Sequence, residues 1–111
     1  MTTFEKIVEA VKPFGYPYEP DVYRGSEAER WITYNYSDDY ASEFADDEPA
    51  VVIATVQVHL FLPVREDFYK IKQQIRRALF AQGFTYPEIT VLTENETIRH
   101  IIFECDIEEE E

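Results

Sequence analysis

Glycine is scarce: the 111 residues contain only Gly15, Gly25 and Gly83. Three isolated glycines cannot build a phosphate-cradling loop or a dinucleotide fingerprint, which excludes those nucleotide-binding classes. Cysteine is scarcer still. Cys105 stands alone, so no internal disulfide framework can form, and the chain reads as one for a reducing compartment. The longest apolar stretch, residues 50–62, is broken by Thr55, Gln57 and His59 and is too short for a membrane span. Thr2, Thr3, Phe4 and Glu5 lack the basic stretch and apolar run of a secretory signal, so the expected site of synthesis and residence is the cytoplasm. Bases are few as well. Ten Lys and Arg face 23 Asp and Glu, for a formal charge of −13. Nucleic-acid affinity comes mainly from basic side chains displacing counterions, and anionic membranes attract the same residues. Direct nucleic-acid binding and membrane association are therefore not expected.

Apolar residues make up 45% of the chain and aromatics 15%, too rich for a disordered chain of this charge and enough for one core. Thr2 to Lys12 reads as a helix, with Thr2 and Glu5 spaced as a capping box and Phe4, Ile7, Val8 and Val11 on one stripe. Pro13 and Gly15 end it. Residues 14–25 carry two prolines and two glycines and read as an extended connection with a short edge strand around Val22. Arg30 to Ser37 alternates as a strand, Ile32, Tyr34 and Tyr36 on one face and Trp31, Thr33 and Asn35 on the other. Asp38 to Pro49 holds six acids and reads as a mobile loop. From Ala50 to Leu62 the alternation is cleanest, with Val52, Ala54, Val56, Val58, Leu60 and Leu62 inward. A second helix, Glu66 to Gln82, buries Phe68, Ile71, Ile75, Ala78 and Leu79 and stops at Gly83. Two strands follow, Glu88 to Thr93 and Thr97 to Ile107, joined through Glu94, Asn95 and Glu96. The expected fold is α+β. One domain over residues 1–107 holds an antiparallel four-stranded sheet packed by two helices, in the order α-β-β-α-β-β. An acidic disordered tail occupies residues 108–111.

No catalytic constellation rises above background. Cys105 lies mid-strand on the apolar side and reads as a buried thiol. His59 and His100 fall on the outward faces of two strands and can approach each other if those strands pair. Neither belongs to a metal-spaced motif, so they read as surface histidines. The acid runs Asp38-Asp39 and Asp46-Asp47-Glu48 lack the spacing of a calcium loop. Catalytic, cofactor-binding and metal residues are accordingly assigned as none, and no cofactor is expected.

Five of the ten bases, Arg65, Lys70, Lys72, Arg76 and Arg77, lie on or beside the second helix, while acids gather at 38–48 and in the tail. A solvated helix back would carry such charges. The functional reading is self-complementary: a basic helix on one copy meets an acidic loop on the next, and head-to-tail contacts of that kind close into rings. The candidate interface is Asp38, Asp39, Asp46, Asp47, Glu48, Arg65, Lys72, Arg76 and Arg77.

Several strings resemble the tail-completion, or tail-to-head joining, proteins of long-tailed phages. They are Tyr23-Arg24-Gly25 leading into Trp31-Ile32-Thr33-Tyr34, then Val56-Gln57-Val58-His59-Leu60-Phe61. The second helix ends Arg77-Ala78-Leu79-Phe80-Ala81-Gln82-Gly83-Phe84, and the last strand opens Ile98-Arg99-His100-Ile101. The similar stretch runs from Val22 to Ile107. The resemblance implies an antiparallel sheet packed by two helices and a hexameric ring at the virion neck, assembled in the host cytoplasm. Its implied partners are other copies of the chain, the tail-tube protein and the head connector. The competing reading is an acidic DNA mimic that inhibits a nucleic-acid-binding host protein. A mimic needs carboxylates ranked along a ridge, whereas here they sit in an expected loop and tail beside a basic helix.

Overall fold

The structure, a computed structural model, describes residues 1–45 and 48–109, and for residues 41–45 and 48–50 it describes the backbone. Two helices and a short 3-10 turn accompany five strands arranged in the order β1-β2-β3-β5-β4. The fold is α+β with a mixed sheet, because β1 (Tyr18–Pro20) runs parallel to β2 (Trp31–Ala45). This corrects the expected four-stranded antiparallel sheet. The edge strand also lies earlier than Val22, which is exposed in the turn that follows. Pro17 and Pro20 are tolerated because β1 is a sheet edge. Asp21, at φ 64, then turns the chain away, a left-handed conformation that aspartate tolerates better than most residues.

Helix α1 (Thr3–Val11) begins as its sequence dictates: the Thr2 hydroxyl accepts from the Glu5 N–H, and the Glu5 carboxylate accepts from the Thr2 N–H at 2.8 Å. It ends in a 3-10 turn, Lys12–Phe14, closed by Gly15 at φ 79. Helix α2 (Tyr69–Ala81) starts three residues later than expected. Glu66 belongs instead to the turn after Pro63 and pairs with Arg30. The Asp67 carboxylate then accepts the Tyr69 N–H.

The largest departure is at Asp38 to Pro49. β2 pairs antiparallel with β3 (Glu48–Pro63) as far as Ala45↔Glu48, so the expected acidic loop is mostly strand. Asp38 and Asp39 stand opposite Thr55 and Ala54, Tyr40 opposite Ile53, and Glu43 opposite Val51 across the ladder. Asp38 and Asp39 are exposed, and an exposed strand can carry carboxylates that a core strand could not. Register shifts between Tyr36 and Asp38, Ala41 and Glu43, and Glu43 and Phe44 are the bulges that such a strand accommodates. Asp46 and Asp47 lie outside the described residues.

β4 (Glu88–Thr93) and β5 (Ile98–Glu109) form the other side of the sheet. Asn95 shapes their connection, its side-chain oxygen accepting from the Thr97 and Ile98 N–H groups and the Thr97 hydroxyl. β5 runs through Glu109, opposite Val52 of β3. Two residues of the expected tail are thus strand, and the Glu109 carboxylate accepts from the Tyr36 and Thr3 hydroxyls. Glu110 and Glu111 lie outside the described residues.

Both helices cover one face of the sheet. The core joins Ile7 and Val11 of α1, Ile75 and Leu79 of α2, and the inward rows of β2, β3 and β5, including Val56, Val58, Leu60, Ile101 and Phe103. Past Val52 no third strand lies beside the β2–β3 pair among the described residues, and it continues as a two-stranded ribbon. The ribbon accounts for the elongated extents of 54 × 25 × 25 Å. Because Leu79 is fully buried between α2 and the sheet, Leu79→Ala should cost about 2–5 kcal/mol in urea melts. A loss below about half a kcal/mol would contradict this packing.

Candidate functional site

With helices on one side only, the second face of the sheet is left to its own side chains. Trp31, Thr33 and Asn35 of β2, Thr55, Gln57, His59 and Phe61 of β3, and His100, Ile102, Glu104 and Asp106 of β5 point to it, as register requires. They sort into two zones. Toward the ribbon the face is polar: Gln57 donates to Glu104 at 2.9 Å, and the Thr55 hydroxyl donates to Asp106 at 2.7 Å.

At the opposite end the face is aromatic. Tyr23, Trp31, Phe61 and His100 stack in one row across the sheet, with ring centroids 5.2, 5.1 and 4.2 Å apart and planes within 19° of parallel. Tyr23 reaches the row from the segment after β1. Gly25 permits this, because a β-carbon there would overlap the Tyr23 ring. Beside the row lies a groove of about 680 Å³, floored by Trp31, Phe61, Pro63 and Ile98 and walled by residues 21–29. The outward alternation of Trp31 and Phe61 was the signal for it in the sequence, but it takes the register of β2 on β3 to make the two rings neighbours.

The histidines link the zones. His59 Nδ1 lies 2.7 Å from His100 Nε2, His59 Nε2 lies 2.8 Å from the Asn35 oxygen, and His100 Nδ1 meets the Glu94 carboxylate. In the one nitrogen–nitrogen contact, between the two histidines, one ring donates and the other accepts. This corrects the reading of surface histidines: His100 is buried and His59 partly so, because Phe61 and the neighbouring strands enclose them. Burial and the His100 ring push the His59 pKa down to about 4 from an ordinary 6.5. Cys105 is buried on the core side, and burial pushes its thiol up to about 12, which makes it inert as a nucleophile at neutral pH. Among the described residues no group of three or more His, Cys, Asp or Glu side chains is placed to hold a metal ion. Among the described residues no helix is long and apolar enough to cross a membrane.

The charged residues of the candidate interface do not form one patch. Asp38 and Asp39 are exposed at the root of the ribbon. Glu48 opens β3, and Asp46 and Asp47 fall outside the described residues. Arg65 sits on the groove rim, 3.5 Å from Glu29. Lys72 lies over the Phe68 and Tyr69 rings. Arg76 donates to the Pro87 carbonyl at 3.1 Å and covers Tyr86, so its first role is to fasten α2 to the approach to β4. Arg77 is exposed beside the same ring. Among the described residues, no ion pair within the chain joins the α2 bases to the ribbon acids.

No family model matches the chain, and no curated protein matches it either.

The lowered His59 pKa has a sign. The unfolded chain takes up this proton below 6.5 and the fold resists it until about 4, so the stabilisation is whole above 6.5 and is lost as pH falls toward 4. Urea midpoints should fall across the upper part of that window, above the carboxylate range, and His59→Gln should flatten the slope. An unchanged slope in that variant would show that the proton binds elsewhere.

Proposed function

We propose that the chain is a non-catalytic assembly subunit at the neck of a long-tailed phage, where copies form a hexameric ring that joins the tail tube to the head connector. The observation that carries this reading is the β2–β3 ribbon. Beyond the Ala41↔Val52 pair it leaves the compact part of the fold with no third strand against it among the described residues. Long backbone edges in water invite pairing or packing with another chain. The resemblance in the strings from Tyr23 to Ile101 supplies the virion context, and the exposed acids at the ribbon root give it a charge that Arg77 or Lys72 of a neighbouring copy would complement. Contacts of that kind between exposed side chains contribute about 0–1 kcal/mol each and weaken with salt, so isolated subunits are expected to assemble on a head or tail template. Some carboxylates would face the DNA passage, where like charge keeps the duplex from sticking.

The ribbon also favours the DNA-mimic reading to one degree, since it replaces an expected loop with regular strands. The same experiment separates the two. Replacing residues 42–51 by Asn-Gly, a turn suited to the antiparallel pair Ala41↔Val52, should leave core stability unchanged because the buried row begins at Ala54. The variant should leave heads and tails unjoined in an assembly reaction, and Arg77→Glu should reduce joining without unfolding. Full joining by the ribbon deletion would end the neck reading. Displacement of a nucleic-acid-binding protein from DNA by the intact chain would establish mimicry instead.

A further inference from the structure

The groove at the aromatic end of the open face is built for a ligand that the ribbon does not explain. Its volume, about 680 Å³, falls within the range of ligand pockets. The rings that border it are stacked face to face, so their faces are largely taken and the groove meets ring edges. That arrangement disfavours capture of a cation over a ring. It suits instead a ligand with apolar bulk and exposed acceptors, because ring edges carry partial positive charge.

Donors stand ready beside those edges. No hydrogen bond ties the Trp31 indole N–H or the Tyr23 hydroxyl to the described residues. Neither is among the buried polar atoms left without a partner, so both are open to solvent. At the rim, Arg65 is engaged by Glu29, while Asp21 is exposed and has no counter-ion among the described residues. The groove therefore combines an aromatic floor, free N–H and O–H donors, and an uncompensated carboxylate at its lip.

We propose that this groove binds an extended, proline-rich segment of a partner protein with a basic residue beside its prolines. A polyproline II helix has no internal hydrogen bonds, so its carbonyls remain free for the Trp31 and Tyr23 donors, and its pyrrolidine rings supply the apolar bulk that packs on ring edges. The chain is also ordered before binding, which lowers the entropy lost. At about 3.1 Å per residue, three to four residues would span the row from Tyr23 to Phe61. The basic residue would meet Asp21 in the field of a chain carrying a formal −13. This inference stands apart from the neck reading, since it concerns the other end of the sheet.

Trp31 is the lone tryptophan, so its fluorescence reports on this site alone. The full chain is titrated with a short acetylated proline-rich peptide ending in arginine, with a matched peptide carrying glycine for proline, and with one carrying glutamate for arginine. Expected are saturable quenching or enhancement and a shift of the indole N–H resonance with the first peptide. The other two should bind at least about tenfold more weakly. Trp31→Phe keeps a ring in the stack and removes the donor. It should weaken binding about tenfold, read from the anisotropy of a labelled peptide. Asp21→Asn should weaken the arginine peptide and leave the glutamate peptide no worse. Absence of saturable binding by the first peptide, or equal binding of the glycine control, would overturn the proposal.

Discussion

Everything in this fold depends on β3 being buried on one face and open on the other. Its inward row, Ala54, Val56, Val58, Leu60 and Leu62, has essentially no exposure and lies against both helices. Fully burying each of the larger side chains contributes about 1.5–3 kcal/mol, so this one strand anchors the cooperative unit. Its period of two then dictates the other face. Thr55, Gln57, His59 and Phe61 must point away from the helices, and β2 and β5 must match them pair by pair. The second face is consequently not a featureless polar surface. It is stabilised sideways, by ring stacking at one end and by hydrogen bonds at the other.

The two ends of the long β2–β3 pair do different work because different elements flank them. Near Trp31 and Phe61 the sheet has β1 on one side and β5 on the other, and the segment after β1 adds Tyr23 to the row. β1 ends opposite Tyr34, and past Val52 no described residue of β5 continues beside the pair. An isolated two-stranded ribbon is marginal in water, yet here it continues strands already fixed by the core, so its first pairs incur little additional entropy loss. Its acids raise the energy of the compact state through mutual repulsion and lower the risk of edge-to-edge aggregation. A surface that resists its own kind at random but offers extended backbone suits a specified partner.

Much of the core was legible in the sequence. The Thr2–Glu5 capping box, the α2 stripe through Ile75 and Leu79, and the alternation from Ala54 to Leu62 are local patterns with one good solution each. What was not legible depended on charge context or on pairing. The run from Asp38 to Pro49 reads as a loop when acids are counted, since carboxylates disfavour strands on average. The ladder to Val51 and Val52 overrides that average. β1 was expected around Val22 and lies at Tyr18–Pro20, because three residues are too short for periodicity and a parallel pairing leaves no turn to mark its place. His59 and His100 were correctly placed on outward faces. Their burial follows from Phe61 and Glu94, neighbours that only register and the β4–β5 connection bring near.

Two titratable groups of this fold, the Cys105 thiol and the His59 ring, are held away from the neutral range by burial. The Cys105 thiol is held protonated by burial, and the His59 ring is held neutral by burial and its partner. General acid–base chemistry favours groups poised near the working pH, and nucleophiles need their ionised form within reach. Here the buried thiol faces the core, and the histidines spend their nitrogens on Asn35, Glu94 and each other. Those bonds fix the cross-strand register that sets Phe61 against Trp31, so the polar chain serves the shape of the open face. The side chains left with unspent capacity are of another kind: ring edges, free donors at Trp31 and Tyr23, exposed carboxylates and an extended backbone. Each is suited to holding another chain, the kind of contact that the proposed assembly role requires.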